Sequence, residues 1–156
     1  MAKFIHHTGT NGFGSAVSLM GSTDLNALSS GGTVTGSQKQ QSDFASAQRA
    51  LLVLEVLTAG WNVSAGGNLT GWFLLSPDAG STYEATITNV GPARVPDFII
   101  PLPTVSPIAA GLYVSEGPYI LLPYGYFKTV ILNNTGANTS SNNHTLKAYP
   151  VFDTYV

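Results

Sequence analysis

The residues able to do chemistry are few and scattered. The chain of 156 residues has eight carboxylates, at Asp24, Asp43, Glu55, Asp78, Glu84, Asp97, Glu116 and Asp153, and three histidines, at His6, His7 and His144. It has no cysteine, which removes thiol nucleophiles, disulfide scaffolds and cysteine-bound zinc together. A metal site at His6–His7 would need two adjacent residues to face one ion. On extended backbone they point opposite ways, so the pair reads as solvated. Glycoside hydrolysis needs two carboxylates across a cleft. Here Asp24 sits where a helix would start, Asp78 sits in a turn, and Asp97 lies beside Pro96. Glu55 is different, a charge inside the apolar run "ALLVLEVL" at 50–57. It is either paired, with Arg49 or Arg94, or a buried acid of raised pKa. "GFGSAVSLMG" completes neither G-x-S-x-G nor G-x-G-x-x-G, and no P-loop or H-E-x-x-H occurs. No catalytic residue, metal ligand or cofactor is assigned, and the chain does not read as an enzyme.

Two further features bear on ligands. Trp61 and Trp72 flank "NVSAGGNLTG", and Tyr119, Tyr124 and Tyr126 cluster later. Exposed rings stack on sugars, which would make this a carbohydrate-binding module, whereas buried rings fill the interior of a β-sandwich, the stronger of the two readings. Five Asn-x-Ser/Thr patterns, at Asn62, Asn68, Asn133, Asn138 and Asn143, have the form of glycosylation sites. In a chain this rich in Asn, Ser and Thr such patterns also arise by chance.

Only 9% of residues are charged, against roughly 25% in an ordinary soluble domain. The net charge is −2 and the six Lys and Arg stand singly, so there is no basic stripe for nucleic acid or for an anionic membrane. No apolar run follows Lys3, so a secretory signal is not expected. "ALLVLEVL" is too short to span a bilayer, and "FIIPLPTVSPIAAGLYV" is broken by Pro101, Pro103 and Pro107. A neutral surface carries a weak field and suits burial against other protein better than dispersal by charge repulsion.

The elements follow from punctuation and period. Residues 1–16 form an extended arm whose Phe4, Ile5 and Phe13 would dock on a partner. Residues 17–156 form one domain. "AVSLMG" reads as a strand, "STDLNALSSGG" as one or two helical turns closed by glycine, and "TVTGSQKQQSDFAS" as loop with a piece of strand. "RALLVLEV" is expected to be a strand buried on both faces. After "NLTGWFLLS" comes the turn "PDAGSTYE", then "YEATITN" as a strand with one wet face, and the proline-bounded edge strand "PDFIIPLP". "PYILLP" follows. "YFKTVILNN" and "TLKAYPVFD" would form the last hairpin, with 133–144 as a neutral tip of turn formers. About eight short strands and almost no helix predict an all-β sandwich or barrel of antiparallel strands.

Four stretches taken together, "LMGSTDLNALSSGG", "WFLLSPDAGSTYE", "FIIPLP" and "FKTVILNNTGANTSSNNHTLKAYPV", resemble a family of small structural proteins encoded among the head and tail genes of tailed bacteriophages. The family's "GST-LN-L--GG" segment corresponds to 21–32, its "-LLPS-DG--YE" turn to 74–84, and its "K--L-NNTG----S-NTLK-YPY" end to 128–151. The resemblance covers about half the chain, in order, and departs from it in a longer Asn- and Ser-rich tip. It implies a jelly-roll-like β-sandwich in the virion, most concretely a capsid decoration (cement) protein. Such a protein would sit as a homotrimer on the outer face of the head, in contact with the major capsid protein. The competing expectation is a tail or head-fibre protein gripping host carbohydrate through Trp61 and Trp72.

Overall fold

The computed structural model of the chain describes residues 4–5, 13–117, 119–140, 144–152 and 154–155. Its strands are β1 (Phe4–Ile5), β2 (Val17–Met20), β3 (Thr33–Gln40), β4 (Arg49–Val56), β5 (Asn68–Leu75), β6 (Phe98–Pro101), β7 (Gly111–Val114), β8 (Ile120–Leu121), β9 (Tyr126–Asn134), β10 (Thr145–Val151) and β11 (Thr154–Tyr155). One α-helical turn, Ser22–Leu25, and one 3-10 turn, Gln41–Phe44, complete the order. The helical turn is capped by Gly21, not by Ser22 or Thr23, and the Asp24 carboxylate accepts the Gly21 backbone N–H at 2.9 Å.

Two antiparallel sheets form a sandwich. The first runs β2-β10-β4-β7, with β8 also paired to β4, and the second runs β3-β9-β5-β6. β1 and β11 make a separate two-stranded ribbon. The core lies between the sheets. β4 sends Ala50, Leu52, Leu54 and Val56 inward from one sheet, and β5 and β9 send Leu69, Phe73, Phe127 and Ile131 from the other, all buried. Each set alternates with outward residues, as the period of a strand requires. Phe73 and Phe127 meet edge to face at 5.1 Å, and Phe44 stacks on Phe127 at 5.8 Å. Gly71 lies under the Phe98 ring of its paired strand, in the space a Cβ would need.

Three expectations are corrected. β9 and β10 do not form a hairpin: β9 pairs with β3 and β5 in one sheet, and β10 with β2 and β4 in the other. The chain therefore passes from one sheet to the other between Asn134 and Thr145. Two adjacent apolar runs look alike whether they pair with each other or with distant strands. β3 is a full eight-residue strand despite its polar sequence, because pairing with β9 on a sheet edge satisfies its backbone, with a register shift between Thr35 and Gln38. "YEATITN" is not a strand. Within residues 76–97 it is irregular apart from a single bridge, Ile87 to Gly91, because the edge of β5 that it would need is taken by β6.

Candidate interaction surface

The two sheets treat their outer faces differently. On the second sheet, Trp72 and Leu74 of β5 and Val130 of β9 point outward yet are buried, as a second apolar cluster. Residues 76–97 cover them. Gly91, at φ +88, passes so close to Trp72 that a Cβ there would lie 2.8 Å from the indole, which only glycine avoids. The Trp72 indole N–H donates to the Arg94 carbonyl at 3.1 Å. The Arg94 guanidinium pins the cover. It donates to Glu84 at 2.9 Å, to Asp97 at 2.8 Å and to the Phe73 carbonyl at 2.8 Å. Those carboxylates raise its pKa further, so it stays charged. Asp97 also accepts the Phe73 backbone N–H at 2.7 Å. In the turn before it, Asp78 accepts from Thr82 N–H and Ser76, and these bonds hold its carboxyl below the usual range.

On the first sheet nothing among the described residues plays this part. Its outward residues are Arg49, Leu51, Val53 and Glu55 on β4, Thr145, Lys147 and Tyr149 on β10, Leu112 and Val114 on β7, and Leu121 on β8, placed side by side by the register. Leu112 is 64% exposed, Val114 42% and Leu121 75%. Phe13, bridged to Val151, adds its ring at 38% exposure and lies 6.5 Å from the ring of Tyr119. Phe13, Leu51, Val53, Leu112, Val114 and Tyr149 line a shallow depression of about 290 Å³. An antiparallel sheet with one wet face normally alternates apolar-in with polar-out. This sheet carries apolar side chains on both faces.

The charges on this face are closed within it. Lys147 donates to Glu55 at 2.6 Å, and Thr145 donates to the same oxygen at 3.1 Å. Arg49 lies 5.7 Å over the Tyr119 ring. Glu55 is thus paired, but with Lys147 and not with Arg49 or Arg94. The Lys147 bond lowers its pKa, the opposite of a buried acid.

The remaining sequence-derived candidates fall elsewhere. Trp61 is 1% exposed and stacks on His144 at 5.4 Å, and Trp72 is 4% exposed under its loop, so neither ring is open to a sugar. Phe4 and Ile5 pair with the chain's own Thr154–Tyr155. Most of the remaining arm, with His6 and His7, and also Asn143, lies outside the described residues. Asn133 is fully buried, so it cannot accept a glycan. Its side chain binds the carbonyls of Leu28, Ser29 and Ala137 and accepts from Thr135. Thr139 extends this knot to Leu25 and Leu28, and Asn138 accepts from Ser30 at 3.0 Å. The segment expected to be a neutral tip of turn formers has Asn133, Thr135 and Thr139 buried and tied to the helical turn and the residues after it, while Asn134, Gly136 and Asn138 are exposed. What sequence reasoning missed was Leu51, Val53, Leu112, Val114, Leu121 and Tyr149 as one surface. The signal was the unbroken apolar run of β4, read as burial on both faces.

Compared with known protein families, curated proteins and solved structures, the chain finds no match.

Proposed function

We propose that the chain is a structural protein of a tailed-phage virion, a decoration (cement) protein that binds the outer face of the head as a homotrimer and bridges copies of the major capsid protein. The observation that carries this reading is the open apolar face of the first sheet. A sandwich with a neutral surface and an uncovered apolar sheet is suited to lasting protein contact. The strand pairing adds support. β2 pairs with β10, β3 with β9, β4 with β7 and β5 with β6, all antiparallel. Nested pairs of this kind are what a long ribbon gives when it wraps into a jelly roll, an architecture shared with viral capsid proteins.

The segments 21–32 and 128–151 meet through the Asn133 and Thr139 knot, and 74–84 is the Asp78 turn that begins the Arg94-pinned cover. Cementing works by mass action, since a protein that binds the assembled shell and not its dissociated parts stabilises the shell. The test adds purified protein to undecorated heads assembled from the capsid protein of the same genome. Cosedimentation with the heads, and survival of heat or low ionic strength by them, is the expected result. Heads that neither bind the protein nor gain resistance would sink the proposal.

A further inference from the structure

We propose that the open face of the first sheet is where copies of this chain join, and that its occupant is a second copy of the chain. This deepens the assembly reading, and it rests on the protein-contact role given to this face. Three observations select the occupant. The first is charge. Among the described residues of the face, Glu55 and Lys147 neutralise each other and the Arg49 cation lies over the Tyr119 ring, so no carboxylate stands there without a cation. The complementary surface must be apolar and poor in charge. A chain with 9% charged residues carrying this same face supplies one.

The second is area. Leu112, Val114, Leu121 and Phe13, at the exposures given above, leave on the order of 400 Å² of apolar surface open. A standard interface takes about 800 Å² from each partner, somewhat over half of it apolar. These four side chains thus supply most of the apolar share of one, and the half-buried Leu51 and Tyr149 continue it. The third is the contrast between the two sheets. The chain covers the outward Trp72 and Leu74 of its second sheet with its own residues 76–97. It has no corresponding described segment over Leu112 and Val114, and a second copy completes what the loop does on the other side. Closed symmetric association with this face of each copy turned toward a common axis buries it in every copy, and in the homotrimer proposed above that axis is three-fold.

The test is the solution mass of the full chain by light scattering and sedimentation, across protein concentration. The wild type is expected to run as a multiple of 16.3 kDa. Leu112→Lys and Val114→Lys each place an ammonium in the apolar centre, and each should weaken association by at least about 100-fold. Leu112→Met should keep the multimer. Val95→Lys, at a residue 82% exposed on the other side of the sandwich, should also keep it. Circular dichroism of each variant confirms that the sandwich is intact. A wild type that stays monomeric overturns the proposal, and so does a multimer that Leu112→Lys and Val114→Lys leave unchanged. A monomer that still binds heads would refute this inference and spare the cement reading. A multimer that fails to bind heads would do the reverse.

Discussion

Replacing Asn133 by alanine should cost about 3 kcal/mol, a large loss for a residue that sequence places in an Asn- and Ser-rich stretch. The figure comes from counting bonds and donors. Nδ2 lies 2.9 Å from the Leu28 carbonyl, 2.9 Å from that of Ala137 and 3.2 Å from that of Ser29, but it has only two hydrogens, so it supplies two full bonds. Oδ1 accepts the Thr135 backbone N–H at 3.0 Å and the Thr135 hydroxyl at 2.6 Å. Each bond is worth about 1 kcal/mol net, and a buried group left bare costs more. Two features reduce the sum: the Leu28 carbonyl keeps the Thr139 N–H, and the Thr135 hydroxyl, released from Oδ1, can turn its one hydrogen to the Ala137 carbonyl. For a chain of this size the midpoint of thermal unfolding should fall by about 6–12 °C. Urea unfolding, followed by tryptophan fluorescence and circular dichroism at one protein concentration, measures the loss. Asn133→Asp should cost at least as much, because a carboxylate cannot donate to the carbonyls. Asn138→Ala, which removes one exposed bond to Ser30, should cost under about 1 kcal/mol. A loss below 1 kcal/mol for Asn133→Ala, or equal losses at 133 and 138, would refute the claim that this crossing is a buried knot.

Two further outcomes are expected. Arg94→Met removes the pin of residues 76–97, and with the guanidinium about a third exposed the cost should be about 2 kcal/mol. Trp72 should become accessible to acrylamide quenching, and unchanged quenching would mean the loop holds without Arg94. Burial of His144 depresses its folded pKa below the usual value near 6.5, so below that pH the unfolded chain binds more protons. Stability should therefore be full at pH 7.5 and fall as pH drops below about 6.5. His144→Gln should flatten that fall, and an unchanged slope between pH 7 and pH 5 would assign it to another group.

The sequence announced much of the sandwich because apolar runs and turn chemistry are local. Asp24 and Asp78 do what their neighbours implied, and 98–101 is an edge strand bounded by proline. The errors were all non-local. Nothing near residues 128–151 records that β9 and β10 belong to different sheets, since their pairing partners all lie in the first half of the chain, at or before Leu75. β3 is polar because an edge strand asks little of its side chains. The partner of Glu55 is Lys147, brought opposite β4 by strand register and not by proximity in sequence. The apolar surface was invisible for the same reason. Leu112, Val114 and Leu121 are ordinary strand residues until three strands set them in a row.

That row also explains why β4 reads as it does. A strand buried on both faces and a strand with one face in an assembly have the same sequence, because each must leave water on both sides. "ALLVLEV" satisfies the core with Ala50, Leu52, Leu54 and Val56, and these leave its other three residues facing outward. Leu51, half-buried, has no reason in the isolated sandwich, where a polar residue would serve solubility better, whereas Val53 is only 5% exposed among its neighbours on the sheet. Glu55 does have one: its bond to Lys147 spares the face a bare charge at its margin. An apolar outer row with its charges tied off costs solubility in a free chain and costs nothing once covered. The second sheet, whose outward Trp72 and Leu74 are equally apolar, already has its cover in residues 76–97. The same logic applied to the first sheet calls for a cover that the described residues do not supply.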